Sequence, residues 1–378
     1  MTMQPVTDAK SPNQDTGSAA CIVEPFLHVD RKRIYNPMTD RAIHPGDPVF
    51  STVRNLHSRR VPIKKLVQGL QNDLLRQGWL ITDQPDLSQR FYLKYVEIEA
   101  TTVCNQACSF CPVSVKPRAD YQMPMSLYEK IVSQLVDFRH TMEGVLMLRY
   151  NEPTTDSHFL DQVRLLKRYD IPIGLNSNAT GLTPRRVDDL LQQGGLKFLS
   201  VNLSTLDRAR YQKERSRDHL RLVMRNMDYM KDRPVAERMD LAVLGSGDKI
   251  HKKDFKSIQK YFSGSSFDVQ YHEVMDRAGH LDSGHKPAKP HSHLEGCEQT
   301  GSRALQWLTV TPQGLCVLCC EDYDEAYVVG DLNKQTVVEV LTGPRFAQLR
   351  RWVYGLEEAP ADFICRKCIY ARSGKIAI

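Results

Sequence analysis

The stretch Cys104-Asn105-Gln106-Ala107-Cys108-Ser109-Phe110-Cys111 decides how the rest of this 378-residue chain is read. Its C-x3-C-x2-C spacing lets one short loop turn three thiolates toward a single centre. Thiolates are the soft ligands of iron-sulfur clusters, and a four-iron cluster held by only three of them keeps one iron open to a further ligand. Such a centre can bind a substrate as well as carry an electron. A structural zinc site or three buried thiols would use the same residues, although zinc knuckles favour paired C-x2-C units or added histidines.

Working outward, Tyr95 to Ala100 before the loop alternates apolar with polar residues, and Met125 to Phe138 after it has apolar residues at helical spacing. The alternation repeats. Strands are expected at 144–150, 171–176, 197–203, 239–245 and 267–275, with helices at 158–169, 184–193, 220–231 and 255–262 between them. Six strands alternating with helices predict an α/β fold with a parallel sheet, and right-handed crossovers curl such a run into a full or partial barrel. Ligand chemistry belongs at the carboxyl ends of the strands, where the cysteine loop departs.

Spacing and context together resemble the radical S-adenosylmethionine (radical SAM) superfamily, whose fold is a partial (β/α)6 TIM-like barrel. The resemblance implies a 4Fe-4S cluster on Cys104, Cys108 and Cys111, with the free iron holding the amino and carboxylate groups of S-adenosyl-L-methionine. Reductive cleavage of the sulfonium would then give a 5′-deoxyadenosyl radical. Tyr150-Asn151-Glu152-Pro153 is similar to the family's G-G-E-P segment with both glycines replaced, which implies that Glu152 meets the methionine ammonium. Asn176 lies in a polar strand end like the family's, and Asn202 and Ser204 fall where members hold the ribose hydroxyls. Phe110 occupies the place of an aromatic against adenine, and Arg215 is a candidate for the methionine carboxylate or a solvated helix end.

A second cysteine group, Cys297, Cys316, Cys319, Cys320, Cys365 and Cys368, closes the chain. The segment from Gly314 to Asp322 resembles the G-x4-C hairpin of SPASM and twitch domains, which append an auxiliary cluster to the radical barrel. Counting from Gly314 gives Cys319 as the hairpin ligand, and with Cys297, Cys365 and Cys368 it makes a four-thiolate set for a second 4Fe-4S cluster. Four cysteines would hold a structural zinc equally well. Cys316 and Cys320 are spare: alternative ligands, thiol hydrogen-atom donors, or buried residues. At the end of the sixth strand, His272, Glu273 and Arg277 are candidates for substrate chemistry, Arg277 orienting substrate and Glu273 or His272 handling a proton, with a salt-bridged rim as the bland reading.

Composition sets the remaining bounds. No apolar run approaches the roughly 20 residues of a membrane span, and clustered cysteines argue for metal in a reducing, cytoplasmic setting. The net charge of +6 is modest, and the runs Arg31-Lys32-Arg33 and Arg350-Arg351 carry no nucleic-acid motif. Residues 1–20 read as a disordered tail. Residues 21–92, with extended runs at 26–34 and 49–53 and a helix at 63–76, look like a winged-helix leader-recognition domain or a cap. Then come the barrel at 93–277, a His-rich linker at 278–296 and the auxiliary-cluster domain at 297–378. The resemblance implies a radical enzyme acting on a peptide or a small polar metabolite, with a reducing partner such as flavodoxin or ferredoxin. The competing reading is a cluster-bearing protein without catalysis.

Overall fold

The structure, a computed structural model, describes residues 20–83 and 86–373, so all but the last residue of the predicted tail lies outside it. Six parallel strands form its centre: β6 (Tyr95–Ile98), β7 (Gly144–Met147), β8 (Ile173–Ser177), β9 (Leu196–Asn202), β10 (Ala236–Gly245) and β11 (Phe267–Glu273), side by side in that order. Helices α3 (Met125–Leu135), α4 (Phe159–Arg168), α5 (Pro184–Gln192), α6 (Arg208–Arg215), α7 (Leu220–Met230) and α8 (Lys249–Tyr261) connect them. The polar alternation of β6 has a plain cause. Val96 and Ile98 enter the large apolar core, while Glu97 and Glu99, two residues apart and so on the opposite face, are fully buried where Arg303, Arg118 and Arg149 neutralise them.

The tail does not stand apart from this sheet. Strand β12 (Trp307–Val310) pairs in parallel with β6, and β13 (Leu315–Val317) and β14 (Val328–Asp331) follow antiparallel, giving nine strands in one sheet. Helices α9 (Arg303–Gln306), α10 (Val337–Leu341) and α11 (Pro344–Val353) complete the tail. Gly314 makes the β12–β13 turn at φ +83°, where a Cβ would also press on Asn333 and Leu127 at 2.9 Å.

The N-terminal unit has its own core of Leu27, Val29, Ile34, Phe50, Val53, Leu56, Leu74 and Trp79. A meander of β2 (His28–Val29), β3 (Ile34–Asn36) and β4 (Arg41–Ile43) is followed by α1 (Phe50–His57) and α2 (Gln68–Arg76), while β1 (Cys21–Val23) pairs with β5 (Leu80–Thr82). Three local expectations are corrected. Residues 49–53 open a helix, because Phe50, Val53 and Leu56 at three-residue spacing make a buried stripe that outweighs the β-branched composition. The helix expected from Ile63 begins only at Gln68, since Leu66 and Val67 are extended behind a single 3-10 turn. Helix α8 likewise starts at Lys249 rather than Phe255, because the Asp248 side chain caps the His251 amide at 2.8 Å.

Candidate radical and auxiliary metal centres

The cysteine loop is fixed from three sides. Asn105 donates to Thr180 Oγ1 at 2.8 Å and accepts from Asn178 at 2.9 Å, which ties the loop to the end of β8. Gln106 donates to the Tyr211 hydroxyl at 2.9 Å, and the amides of Ala107 and Ser109 donate to the Arg215 and Glu214 carbonyls of α6. Cys104, Cys108 and Cys111 consequently share one cleft with Phe110, Asn151, Glu152, Asn176, Asn202, Arg149, Arg215 and Arg277. Burial pushes the Cys104 thiol up to about 12 and Cys111 to about 11, so metal must displace protons on binding.

Polar groups in and beside that cleft have unused capacity. Glu152 is 1 % exposed and takes Thr154 and Ser177 on Oε1 and the Asn178 amide at 2.6 Å on Oε2. Burial raises its pKa against those hydrogen bonds, and Oε2 retains room for a cationic donor. Arg215 is 1 % exposed, lies 5.2 Å from the Phe110 ring, donates to the Asn202 carbonyl at 3.1 Å, and leaves its buried Nε without a partner. Asn151 Oδ1 and Ser204 Oγ are likewise buried and unpartnered among the described residues, although Ser204 itself does not line the cleft. A buried guanidinium with no carboxylate among the described residues and a buried carboxylate with a spare acceptor are the two groups an amino acid's charged ends require.

Cys297, Cys319, Cys365 and Cys368 line a second cavity, walled by Ala304, Leu318, Val353, Ile364 and Ala371 and closed by Arg303. Neither Cys316 nor Cys320 lines it. Cys316 is fully buried on β13 among core side chains. Cys320 lies between the cavities: its Sγ is 3.8 Å from Glu321 Oε1 and 3.9 Å from Gln299 Oε1, and its carbonyl accepts from the Tyr150 hydroxyl at 2.6 Å. Among the described residues no three His, Cys, Asp or Glu side chains close on a single metal ion.

The two cavities meet at one ion pair. Arg277, in the first, reaches Glu321, in the second, at 3.3 Å, and Gln299 donates to the same Glu321 oxygen. Arg277 and Ala278 both have φ near +54°, a left-handed conformation that non-glycine residues adopt at a cost of about 1–3 kcal/mol each. The chain accepts that strain where it crosses from barrel to tail. His272 and Glu273 are elsewhere: neither lines the cleft, His272 is exposed, and Glu273 pairs with His285 at 2.6 Å. Sequence reasoning missed Glu321, Gln299 and the Arg149–Glu99–Arg118 network that binds the β13–β14 loop to the barrel through Glu325 and the Asp322 carbonyl. The adjacency of Glu321 to the Cys319-Cys320 pair was the available signal.

Comparisons with known proteins fall on these two centres. The radical SAM superfamily model matches residues 98–256, and the SPASM model, an iron-sulfur cluster-binding domain, matches residues 297–369. The GTP 3′,8-cyclase of Synechococcus elongatus is 32 % identical over 130 residues, 32 % of this chain and 36 % of the cyclase. A tungsten-containing aldehyde ferredoxin oxidoreductase cofactor-modifying protein of Pyrococcus furiosus is 28 % identical over 112 residues, so the chain spans only 31 % of that relative's length. The S-adenosyl-L-methionine-dependent 2-deoxy-scyllo-inosamine dehydrogenase of Niallia circulans is 21 % identical over 276 residues, covering 72 % of this chain and 91 % of the dehydrogenase. Among solved structures, Streptococcus suis SuiB bound to precursor peptide SuiA aligns with a TM-score of 0.56 at 11 % identity, over 88 % of this chain and 90 % of SuiB. The structure of anSMEcpe with bound AdoMet gives 0.52 at 12 % identity, over 69 % and 84 %. These likenesses show the fold.

Proposed function

Because the chain belongs to the radical SAM superfamily and carries a SPASM-type iron-sulfur domain, we propose that it generates a 5′-deoxyadenosyl radical and removes a hydrogen atom from a carbon of a ribosomally made peptide. The observation carrying the chemistry is the cleft in which three thiols, the spare acceptor of Glu152 and the unpartnered Nε of Arg215 converge. Cys104, Cys108 and Cys111 would hold one cluster, and Cys297, Cys319, Cys365 and Cys368 an auxiliary one. Bound there, the first cluster supplies the electron that cleaves the sulfonium. Glu152 would hold the methionine ammonium, Arg215 its carboxylate, Asn176 and Asn202 the ribose, and Phe110 the adenine.

Arg277 and Glu321 are assigned to the substrate. A substrate radical loses a proton more readily than its parent, so a carboxylate set between the reacting carbon and the auxiliary centre is well placed to take it. Arg277, held against Glu321 by a strained backbone, would orient a substrate carbonyl or carboxylate. Glu321 thereby replaces Glu273 and His272 in the proton-handling role, since Glu273 is engaged by His285 and His272 faces outward.

The winged-helix-like arrangement of the N-terminal unit, with a three-stranded meander followed by two helices, supports a peptide substrate. A second reading, oxidation of an aminocyclitol alcohol with the surplus electron passing to the auxiliary centre, is supported by the extent of the match to the scyllo-inosamine dehydrogenase. The test is anaerobic incubation with S-adenosylmethionine and a strong reductant, measuring 5′-deoxyadenosine, followed by deuterium transfer from labelled peptide or labelled 2-deoxy-scyllo-inosamine. No 5′-deoxyadenosine would refute the chemistry, and deuterium transfer from the aminocyclitol alone would refute the peptide.

A further inference from the structure

The chain's basic charge is not spread over it. Residues 30–65 contain nine Lys and Arg (Arg31, Lys32, Arg33, Arg41, Arg54, Arg59, Arg60, Lys64 and Lys65) against three Asp. That surplus of six equals the net charge of the whole molecule, so the remaining residues balance. All three carboxylates are already engaged. Asp30 accepts from the amides of Lys32 and Arg33 at 2.7 Å, Asp40 pairs with Lys94 at 2.8 Å, and Asp47 accepts from the His44 amide. None of the nine cations has a carboxylate within ion-pair distance among the described residues, whereas Arg76, Arg164, Lys197, Arg208 and Arg238 are paired on the surface elsewhere. Eight of the nine are on exposed residues, and Arg54 is half-buried.

Arg33 lines a cavity of about 290 Å³. Its wall draws on three parts of the chain: His28, Arg33 and Tyr35 from the meander, Lys94 just before β6, and Arg372 from the tail. Lys94 and Arg372 are spoken for by Asp40 and Glu298. Arg33 is not. It lies 4.7 Å from the Tyr35 ring, and although Asp30 accepts from its backbone amide, its guanidinium has no carboxylate within ion-pair distance among the described residues. Since Lys94 precedes β6 and the cysteine loop follows it, the cavity is at the amino-terminal end of the barrel, opposite the radical cleft.

We infer that this face docks an acidic segment of the peptide substrate, with a carboxylate seated in the cavity against Arg33 and the exposed cations steering the rest. The inference rests on the peptide reading and adds to it the charge of the docking segment, its position, and its separation in sequence from the residue modified at the opposite end of the barrel. Charge complementarity identifies the occupant: unpaired guanidinium and ammonium groups select carboxylates. A peptide rather than a nucleic acid is the occupant because the basic runs of the chain carry no nucleic-acid motif.

The experiment uses the full chain with its clusters reconstituted and follows fluorescence anisotropy of short labelled probes. These are a peptide with Asp or Glu at every second residue, its Asn/Gln counterpart, and a single-stranded RNA of similar length. The acidic peptide should bind, the amide counterpart about tenfold or more weaker, and R31E/K32E/R33E should weaken acidic-peptide binding about tenfold or more while 5′-deoxyadenosine formation without peptide stays unchanged. Arg33→Gln, which cannot disturb the fold through charge reversal, should give a smaller loss of the same sign. Equal binding of the acidic and amide peptides, unchanged binding in both variants, or tighter binding of RNA than of the acidic peptide would overturn the inference. Because anisotropy needs no radical chemistry, absent cleavage in the unaltered protein would refute the proposed reaction and leave this result standing.

Discussion

The two thiol sets are built oppositely, and the contrast separates an open, polar centre from an enclosed one. Cys104, Cys108 and Cys111 sit on one loop in a cleft rich in carboxamides, a carboxylate and guanidinium groups, some with unused hydrogen-bonding atoms. Cys297, Cys319, Cys365 and Cys368 come from separate segments and line a small cavity with mostly apolar walls. A ligand cannot enter the second without unpacking Ala304, Leu318, Val353 and Ile364. The first is open by construction, and its spare polar atoms have no structural use.

The largest effect that would break this contrast is loss of the radical. Alanine at Cys104, Cys108 or Cys111 should bring 5′-deoxyadenosine formation down to background, measured by chromatography under strong reductant. Alanine at Cys365 or Cys368 should leave cleavage detectable but uncoupled from substrate. Equal loss of cleavage from both sets would mean that the centres are not functionally distinct.

Next in size is the joint between them. Arg277→Ala and Glu321→Gln should each lower hydrogen-atom transfer from substrate roughly 10- to 100-fold, with the amount of 5′-deoxyadenosine little changed, if each has the proposed role of positioning or deprotonating substrate without holding the clusters. Parallel loss of cleavage and of iron would show a structural joint instead.

Much of this was legible from local spacing. The C-x3-C-x2-C loop, the six strand-helix alternations and the C-x2-C pair are short-range patterns. What escaped is long-range. Pairing of β12 with β6 joins segments more than 200 residues apart, and no local signal announces it. Glu321 gains its place only when Arg277 arrives from the barrel, while Glu273, equally plausible in sequence, is taken by a histidine of the following segment. Helix α1 was misread because Val49, Thr52 and Val53 favour extended backbone until Phe50 and Leu56 find the N-terminal core.

A smaller effect tests how the N-terminal unit is fastened. Arg350 is fully buried, has no carboxylate partner among the described residues, and donates to the carbonyls of Ser88, Ala304 and Leu341. Burial holds its pKa below the ordinary arginine value. Arg350→Ala strands those acceptors and should cost about 3 kcal/mol in denaturant unfolding. Removing the N-terminal unit would strip the Ser88 contact and the Tyr35–Gln306 hydrogen bond together, so point variants report on docking more cleanly than truncation.

The smallest effect is on pH. Burial, reinforced by the charges of Arg372 and Arg33, pushes the His28 pKa down to about 3, while its Nε2 meets the Tyr354 hydroxyl at 3.0 Å. A histidine that is neutral when folded binds its proton only on unfolding, so its contribution is complete above its unfolded pKa and is lost as pH falls from about 6.5 toward 3, by up to about 1.4 kcal/mol per unit. Thermal melts between pH 7.5 and 5.5 should fall more steeply for the unaltered chain than for His28→Asn.

The central claim is that two clusters occupy two different kinds of site, and iron content tests it most directly. Anaerobically reconstituted protein should hold about eight irons, with about four left after alanine replaces either Cys104, Cys108 and Cys111 together or Cys319, Cys365 and Cys368 together. About four irons with one zinc in the unaltered protein, the zinc vanishing with the second set, would contradict it.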